Sequence, residues 1–552
     1  MRLTVAAVQT FSKLGDIEAN LKSVLQLTRE AAEKGANLIV FPECMNSGYV
    51  WDSPEHALDC ADPIPGTMTR GLAQVTSEHG VYVAIGISER EVDKVYNSIA
   101  LVGPDGLIGK YQKNFLFDFD PYWFAWGKTG YPVFDTPLGK IGMFICADAR
   151  IPEGARALTL AGAEILLHIT NSTTHEQHEM HVPTRGNENE AWFISADKAG
   201  RELGLTYPGN SLIIAPDGTV NAQGSFEGHE IIYADIDTED VHAVRNGPNG
   251  LLKGRRPETY GILTKDYGDL PIAKFEVEPV VPSQLAVLAS ALQVTNTDED
   301  AKATLERAVL MGGEAGKENT GLIVFPELFL CGVNPSAEEA RASAKLTGDV
   351  LEAFGKPARK WDACYVLSLI EEEAENLYIT TYFIGPDGKA RERYRKVHLT
   401  AEEATWATPG DDYKVVQMPF GNVGLMSGHE VCYCEVSRIL TCLGADVIAT
   451  PSAWRLPRER DLFLKERALE NKVYIIAANR LDVPVPGESR IVLPNAAIPT
   501  ASKQGQEDFI FHYLNLVWAR DKQIRPGTDL IKNRRTKFYG PLCEARPQID
   551  PG

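Results

Sequence analysis

The sequence predicts an α/β protein in which one layered domain occurs twice. Two observations carry this. The first is a long internal repeat. Leu38-Ile39-Val40-Phe41-Pro42-Glu43 returns as Leu322-Ile323-Val324-Phe325-Pro326-Glu327, Gly103-Pro104-Asp105-Gly106 as Gly385-Pro386-Asp387-Gly388, and Tyr111-Gln112-Lys113 as Tyr394-Arg395-Lys396. The offsets are 284, 282 and 283 residues, far beyond any solenoid unit. The second is that, inside each copy, short apolar runs alternate with helical periods, which is the pattern of α/β layers. A chain of 552 residues has room for roughly two to four ordinary domains.

Residues 3–9 read as a strand. Asp16 is a helix N-cap, Leu21, Val24, Leu25, Ala31 and Ala32 form the apolar stripe behind it, and Gly35 is the stop. Asn37 to Pro42 is the next strand. Ile141 to Ile145 is another apolar run, followed by a helix from Pro152 and then by Ile165-Leu166-Leu167. The first copy is expected to span residues 1–278, and Glu278-Pro279-Val280-Val281-Pro282-Ser283 reads as a stiff linker. The second copy spans 284–552 and opens on Leu285-Ala286-Val287-Leu288, the counterpart of Leu3-Thr4-Val5-Ala6.

Composition narrows the class. Hydrophobic residues make up 44% and charged residues 24%, as in ordinary globular chains. No apolar run reaches the roughly 18 residues of a membrane span, and none at the start resembles a signal peptide. The net charge of −20 disfavours nucleic acid and anionic membranes as partners. Nine cysteines without a CxxC pair fit a reducing, cytoplasmic location better than a disulfide framework.

Three residues end separate elements. Cys146 closes an apolar run just before a helix, where a thiol can be exposed on a sharp turn and a helix terminus favours its thiolate. Glu43 ends another run, and Lys113 follows Gly109-Lys110-Tyr111-Gln112. Singly, each has an ordinary reading: core filler, a capping or ion-paired carboxylate, a surface lysine. Together they change meaning. A thiol nucleophile needs a base for its proton, and the oxyanion it creates needs positive charge and donors. Glu, Lys and Cys supply that set without a histidine.

On these residues the chain resembles the nitrilase superfamily of carbon–nitrogen hydrolases, over nearly its whole length and twice. The matching motifs are Phe41-Pro42-Glu43, Tyr111-Gln112-Lys113, Ile145-Cys146-Ala147-Asp148-Ala149-Arg150 and Arg185-Gly186-Asn187-Glu188-Asn189, in the family's order. The resemblance implies an αββα sandwich in each copy and a Glu43–Lys113–Cys146 triad. It further implies that Asp120, seven residues after Lys113, positions the lysine, although the family prefers Glu there. The backbone N–H of Ala147 is the expected oxyanion donor, and Trp123, Asn171 and Glu188 are the expected substrate contacts. The family's histidine two residues after the lysine is Phe115 here, and Pro121 to Trp126 is unusually aromatic, either pocket wall or core.

The second copy keeps Glu327, Lys396, Glu403, His398 and Arg467-Ala468-Leu469-Glu470-Asn471, but not the nucleophile. Gly142 to Cys146 is four residues, and the same step from Gly424 lands on Gly428. Cys146 to Gly162 and Gly428 to Gly444 are both sixteen. Gly428 therefore occupies the cysteine position, with Cys432 and Cys434 in the following turn and helix. Since family members commonly pair as dimers, the resemblance implies an intramolecular pseudo-dimer of an active and a degenerate copy, with further homo-oligomerisation left open. His168, His175, His178 and His181 cluster within 14 residues, and the last three, spaced by three, could share a helical side, but Glu176 and Glu179 among them suggest a solvated or substrate-facing surface rather than a metal site. No metal or cofactor is expected.

The expected activity is thioester-forming hydrolysis of a small amide or N-carbamoyl compound. Ala147-Asp148 after the cysteine is closer to amidase and carbamoylase branches than to the Cys-Trp-Glu of nitrilases, so nitrile hydrolysis stands second. A non-catalytic binding or scaffold protein is the reading from another class.

Overall fold

The computed structural model describes residues 1–275, 285–295 and 301–545; residues 278–283, read above as the linker, lie outside them. The chain forms two compact units. One is Met1–Lys253 together with the segment from Gln523 onward, and the other is Gly254–Lys522.

In the first unit the strands are β1 (Arg2–Gln9), β2 (Leu38–Val40), β3 (Tyr82–Glu91), β4 (Lys94–Gly103), β5 (Gly106–Gln112), β6 (Val133–Thr136), β7 (Gly139–Ile145), β8 (Ile165–Thr170) and β9 (Trp192–Asp197). A hairpin of β10 (Ala199–Glu202) and β11 (Leu205–Pro208) follows, then β12 (Leu212–Ile214), β13 (Val220–Gln223) and β14 (Glu230–Asp237). They build two six-stranded sheets, ordered β14-β1-β2-β3-β4-β5 and β13-β12-β9-β8-β7-β6. Alternation along β1 shows how the layers form. Val5 and Ala7 face the core between the sheets, with Val40, Ile99, Met143 and Leu167. Ala6 and Val8 face the opposite way, onto Val24, Leu27 and Ala31 of helix Ile17–Glu33 and Leu72 of helix Thr67–His79. Asp16 caps the first of these helices through the amide of Ala19, as its sequence position predicts. Helix Pro152–Leu160 sends Ala155 and Leu158 against the other sheet. Helix, sheet, sheet, helix is the αββα layering.

Gly254–Lys522 repeats the design. Its sheets run Asp508–Asn515, Ala286–Gln293, Leu322–Val324, Cys364–Glu373, Asn376–Ile384, Ala390–Arg395, and Thr500–Ala501, Arg490–Val492, Tyr474–Ala478, Val447–Pro451, Gly421–Leu425, Val415–Met418. These are the same strand orders as in the first unit.

The compact units differ from the division expected at residues 278 and 284. Each sequence copy gives its C-terminal segment to the unit built by the other. In the first unit, Arg534 pairs with Glu153 at 2.9 Å, and Leu530, Tyr539 and Leu542 pack on Phe115, Ala147 and Ile151. In the second, Arg255 pairs with Glu435 at 2.8 Å, and Tyr260 bonds His398 at 2.6 Å. Sequence reading missed this because the tails carry the same motif in both copies, so nothing in the order of residues tells which body each one joins.

Candidate active site

Cys146 sits where β7 ends and a 3-10 turn, Cys146–Arg150, begins. Its φ is +49°, a left-handed conformation that costs a residue with a Cβ roughly 1–2 kcal/mol. The surroundings hold it there. The carboxylate of Asp148 accepts from the amides of Ile145 (3.0 Å) and Phe115 (2.8 Å) and from the hydroxyl of Tyr111 (2.7 Å). The Cys146 carbonyl accepts from His168 Nε2 at 3.1 Å and Gln177 Nε2 at 3.3 Å. Burial pushes the His168 pKa down to about 3, so its ring is a neutral buttress. Burial likewise pushes Asp148 up to about 6, against the hydrogen bonds that favour its charge.

Glu43 follows β2 after Phe41-Pro42. The chain turns sharply there, with Cys44 at φ +53°, and passes so close to β3 that a Cβ on Gly86 would lie 2.5 Å from the Glu43 Cα. Only glycine fits that position. Glu43 is fully buried, and each oxygen has partners. Oε1 accepts from Asn97 Nδ2 and from Lys113 Nζ (3.2 Å); Oε2 accepts from the Asn171 amide (2.8 Å). Lys113 leaves the end of β5 and points its buried ammonium between Glu43 and Asp120, whose Oδ2 lies 2.8 Å away. Asp120 is itself held by Tyr49 Oη (2.6 Å) and the Phe117 amide (2.9 Å). Burial opposes the lysine's charge, but Asp120 and Glu43 outweigh it and hold its pKa well above the ordinary value. At Cys146, burial and then the Glu43 charge push the thiol up to about 12, while Lys113 pulls the other way. The resting group is a thiol beside a carboxylate and an ammonium, an arrangement that can pass a proton when a carbonyl is attacked.

The structure thus brings Glu43, Lys113, Asp120 and Cys146 together. Ala147 is in the first turn after the thiol, where a helical amide has no intrahelical acceptor. Asn171 joins through its backbone, and its side-chain amide is buried with no hydrogen-bond partner among the described residues. Two expected contacts lie elsewhere. Glu188 is buried and pairs with Arg185, whose Nε donates to the Ala149 carbonyl at 2.8 Å, so it braces the turn from behind. Trp123 packs edge-on to Trp51 and lines a surface cleft with Pro54, Leu58 and Tyr122 that none of the four central residues lines. Of the histidine group, His168 buttresses Cys146, His178 pairs with Asp197 at 2.8 Å, and His175 lies edge-on to Phe226. Sequence reading missed Asn97 and Tyr49, which no motif marks; only strand pairing shows that Asn97 stands beside Glu43.

In the second copy Glu327, Lys396 and Glu403 reproduce the buried charge cluster, with Lys396 Nζ 2.9 Å from Glu327 and 2.8 Å from Glu403. Gly428 keeps the turn at φ +46°. The glutamate has moved. A Cβ on Gly428 would meet Glu327 Oε2 at 2.4 Å, and Ser427 Oγ donates to Glu327 Oε1 at 2.7 Å. The matching strand register puts Ile379 where the first copy has Asn97, since the amides of Lys396 and Lys113 bond the carbonyls of Ile379 and Asn97 respectively. Ser427 likewise stands for Ile145. The carboxylate has lost its amide donor, gained a hydroxyl on the other side, and fills the space that a side chain at position 428 would need.

Comparison with known proteins agrees with this duplication. The carbon-nitrogen hydrolase family matches residues 4–246 and again 288–520. A nitrilase of Pyrococcus abyssi is 37% identical over 258 residues, covering 46% of this chain and 98% of that protein. The omega-amidase NIT2 of Mus musculus is 33% identical over 279 residues (48% and 98%), and an N-carbamoylputrescine amidase of Solanum lycopersicum 30% over 297 (49% and 97%).

Proposed function

Because the chain belongs to the carbon-nitrogen hydrolase family, we propose that its first copy is a cysteine-dependent amidase acting on a small amide or N-carbamoyl compound. The observation that carries the reading is the buried Glu43–Lys113 ion pair, whose two charges act on the buried thiol of Cys146, held left-handed at the end of β7. Glu43 takes the Cys146 proton as sulfur attacks the carbonyl carbon. Lys113 and the Ala147 amide face the oxyanion. Glu43 returns the proton to the departing nitrogen, leaving a thioester, and then activates the water that cleaves it. Asp120 positions Lys113.

Nitrile hydrolysis is kept as the second reading because one relative at 37% identity is named a nitrilase. Ammonia release from small amides, ureido acids and matched nitriles, read beside intact-protein mass, tests both. The amide should be preferred, and acyl mass should appear on the peptide holding Cys146. Cys146→Ala should lose several orders of magnitude in rate. Turnover by Cys146→Ala near the parent rate overturns the mechanism, and a nitrile preferred over its own amide overturns the substrate class.

A further inference from the structure

Beside the degenerate site three side chains converge that have no counterpart in the first copy. His429 Nδ1 and Glu459 Oε1 are 2.7 Å apart, Cys432 Sγ is 3.5 Å from that nitrogen, and the same sulfur is 3.7 Å from that oxygen. Among the described residues no other group of three or more His, Cys, Asp or Glu side chains gathers in this way. We propose that these three residues bind one divalent transition-metal ion of the zinc type.

The local structure explains why the donors meet. His429 and Cys432 lie on the 3-10 turn Gly428–Cys432. In a 3-10 turn residues three apart eclipse one another, which stacks the imidazole over the thiol. Glu459 opens the turn Glu459–Phe463. Its Oε2 accepts from the amides of Arg455 (2.6 Å) and Leu456 (3.1 Å), which anchors the carboxylate and aims Oε1 at the other two donors. Second-sphere hydrogen bonds of this kind fix the orientation of metal-binding carboxylates.

The distances fit an ion. Zinc takes nitrogen and oxygen at about 2.0 Å and sulfur at about 2.3 Å, so a tetrahedral set spaces N and S, or S and O, by about 3.5 Å. Two sides of the triangle already have that length. The third, His429 to Glu459, is a hydrogen bond and would open by roughly half an ångström as the ion replaces its proton. Charge fits too. A thiolate and a carboxylate neutralise a dication, so a site in which Cys432 and Glu459 are buried carries no net charge when filled. The His429 side chain is 16% exposed, which leaves a route in and a fourth position for water.

The internal repeat supplies an independent observation. The matched turns Cys146–Arg150 and Gly428–Cys432, and Gln177–His181 and Glu459–Phe463, are each offset by 282 residues. The first copy therefore has Ala147, Arg150 and Gln177 where the second has His429, Cys432 and Glu459. All three positions carry a ligating residue type in the copy that lacks the nucleophile. None belongs to the Glu43–Lys113–Cys146 cluster, so this proposal stands apart from the amidase reading.

The test uses the full chain, stripped with a chelator at neutral pH and titrated with Co2+ and then Zn2+. One Co2+ per chain should bind, with a thiolate-to-cobalt charge-transfer band that Zn2+ displaces. Cys432→Ser should abolish the band. His429→Ala places there the residue the first copy carries, so the turn should fold as before, and it should weaken binding by more than about 100-fold. Both variants should keep the turnover of the parent. Absence of the band, a band that survives in Cys432→Ser, or unchanged affinity in His429→Ala would overturn the proposal. If Cys432→Ser fails to fold, the His429→Ala titration decides alone.

Discussion

Returning a cysteine to the second copy should not return a nucleophile. In Gly428→Cys the new Cβ would lie 2.4 Å from Glu327 Oε2 and 2.7 Å from its Cδ, distances that a real Cβ does not tolerate. The carboxylate must retreat by about an ångström. That breaks or stretches its hydrogen bond from Ser427 Oγ, at 2.7 Å, and its charged contact to Lys396 Nζ, at 2.9 Å. Both bonds end on a carboxylate, and a hydrogen bond to a charged group is worth about 1.5–3 kcal/mol. A side chain at φ +46° adds roughly 1–2 kcal/mol. Together the substitution should destabilise the second unit by about 4–8 kcal/mol. The assay pairs urea unfolding with ammonia release, in a Cys146→Ala background so that any turnover comes from residue 428. The expected result is lower stability and no recovered activity. Adding Ile379→Asn and Ser427→Ile restores the amide donor and removes the competing hydroxyl, and should recover part of the lost stability. Parent-like stability with restored turnover in Gly428→Cys, Cys146→Ala alone would refute the reasoning, because Glu327 would not then be fixed in the nucleophile's space.

Three further outcomes follow from the same geometry. Asn97→Ile, which copies the second unit, removes the amide that holds Glu43 Oε1 and should lower kcat about 10- to 100-fold while Cys146 remains present and buried; unchanged kcat would show that Asn97 does not position the base. With its pKa pushed up to about 12, the Cys146 thiol should be overwhelmingly protonated at pH 7, and its alkylation by iodoacetamide in the absence of substrate should rise about tenfold per pH unit from 7 to 9; a rate already level below pH 8 would mean a resting thiolate. Ending the chain after Lys522 strips Leu530, Tyr539 and Leu542 from Phe115, Ala147 and Ile151, at about 1.5–3 kcal/mol for each large buried side chain, so thermal unfolding should come earlier and turnover should fall; an unaltered melting profile would refute a packing role for the tail.

Much of this was legible in the sequence because the repeat is read residue against residue. Gly428 could be aligned with Cys146 without a gap, and the alternation of apolar runs placed β1, β2, β7 and β8 correctly to within a few residues. Glu43, Lys113 and Cys146 were legible because each sits at the end of an element, next to a motif, and Asp120 only through the resemblance and its spacing of seven residues from Lys113. What was hidden depends on neighbours distant in sequence. Asn97 reaches Glu43 only through the pairing of β4 with β3 and β5. Glu188 looked like a substrate contact because its motif is near the cysteine in the family's order, whereas its carboxylate is spent on Arg185. Trp123 sat in an aromatic run that could be wall or core, and the structure packs it, half-buried, on Trp51 and Phe119 beside a surface cleft that the central residues do not line.

The exchanged tails give a physical reason for a copy without a nucleophile to persist. The turn carrying Cys146 is apolar behind Ala147 and Ile151, and its neighbour Phe115 adds a large ring where the second copy has His398. That surface is covered by Leu530, Tyr539 and Leu542, residues encoded in the second copy, and is anchored by Arg534 on Glu153. Losing the thiol at 428 leaves this cover untouched, because the tail and the degenerate site share no residue. Losing the second copy altogether would bare the face beside Cys146. The substitution at the histidine position fits the same logic. In the second unit the tail tyrosine, Tyr260, has a histidine to bond, so the tail is tied by a polar contact at 2.6 Å. In the first, Tyr539 packs on Phe115, which stands at the histidine's position. The two units have therefore diverged at both positions, nucleophile and tail contact, while keeping the arginine–glutamate pairs that hold each tail in place.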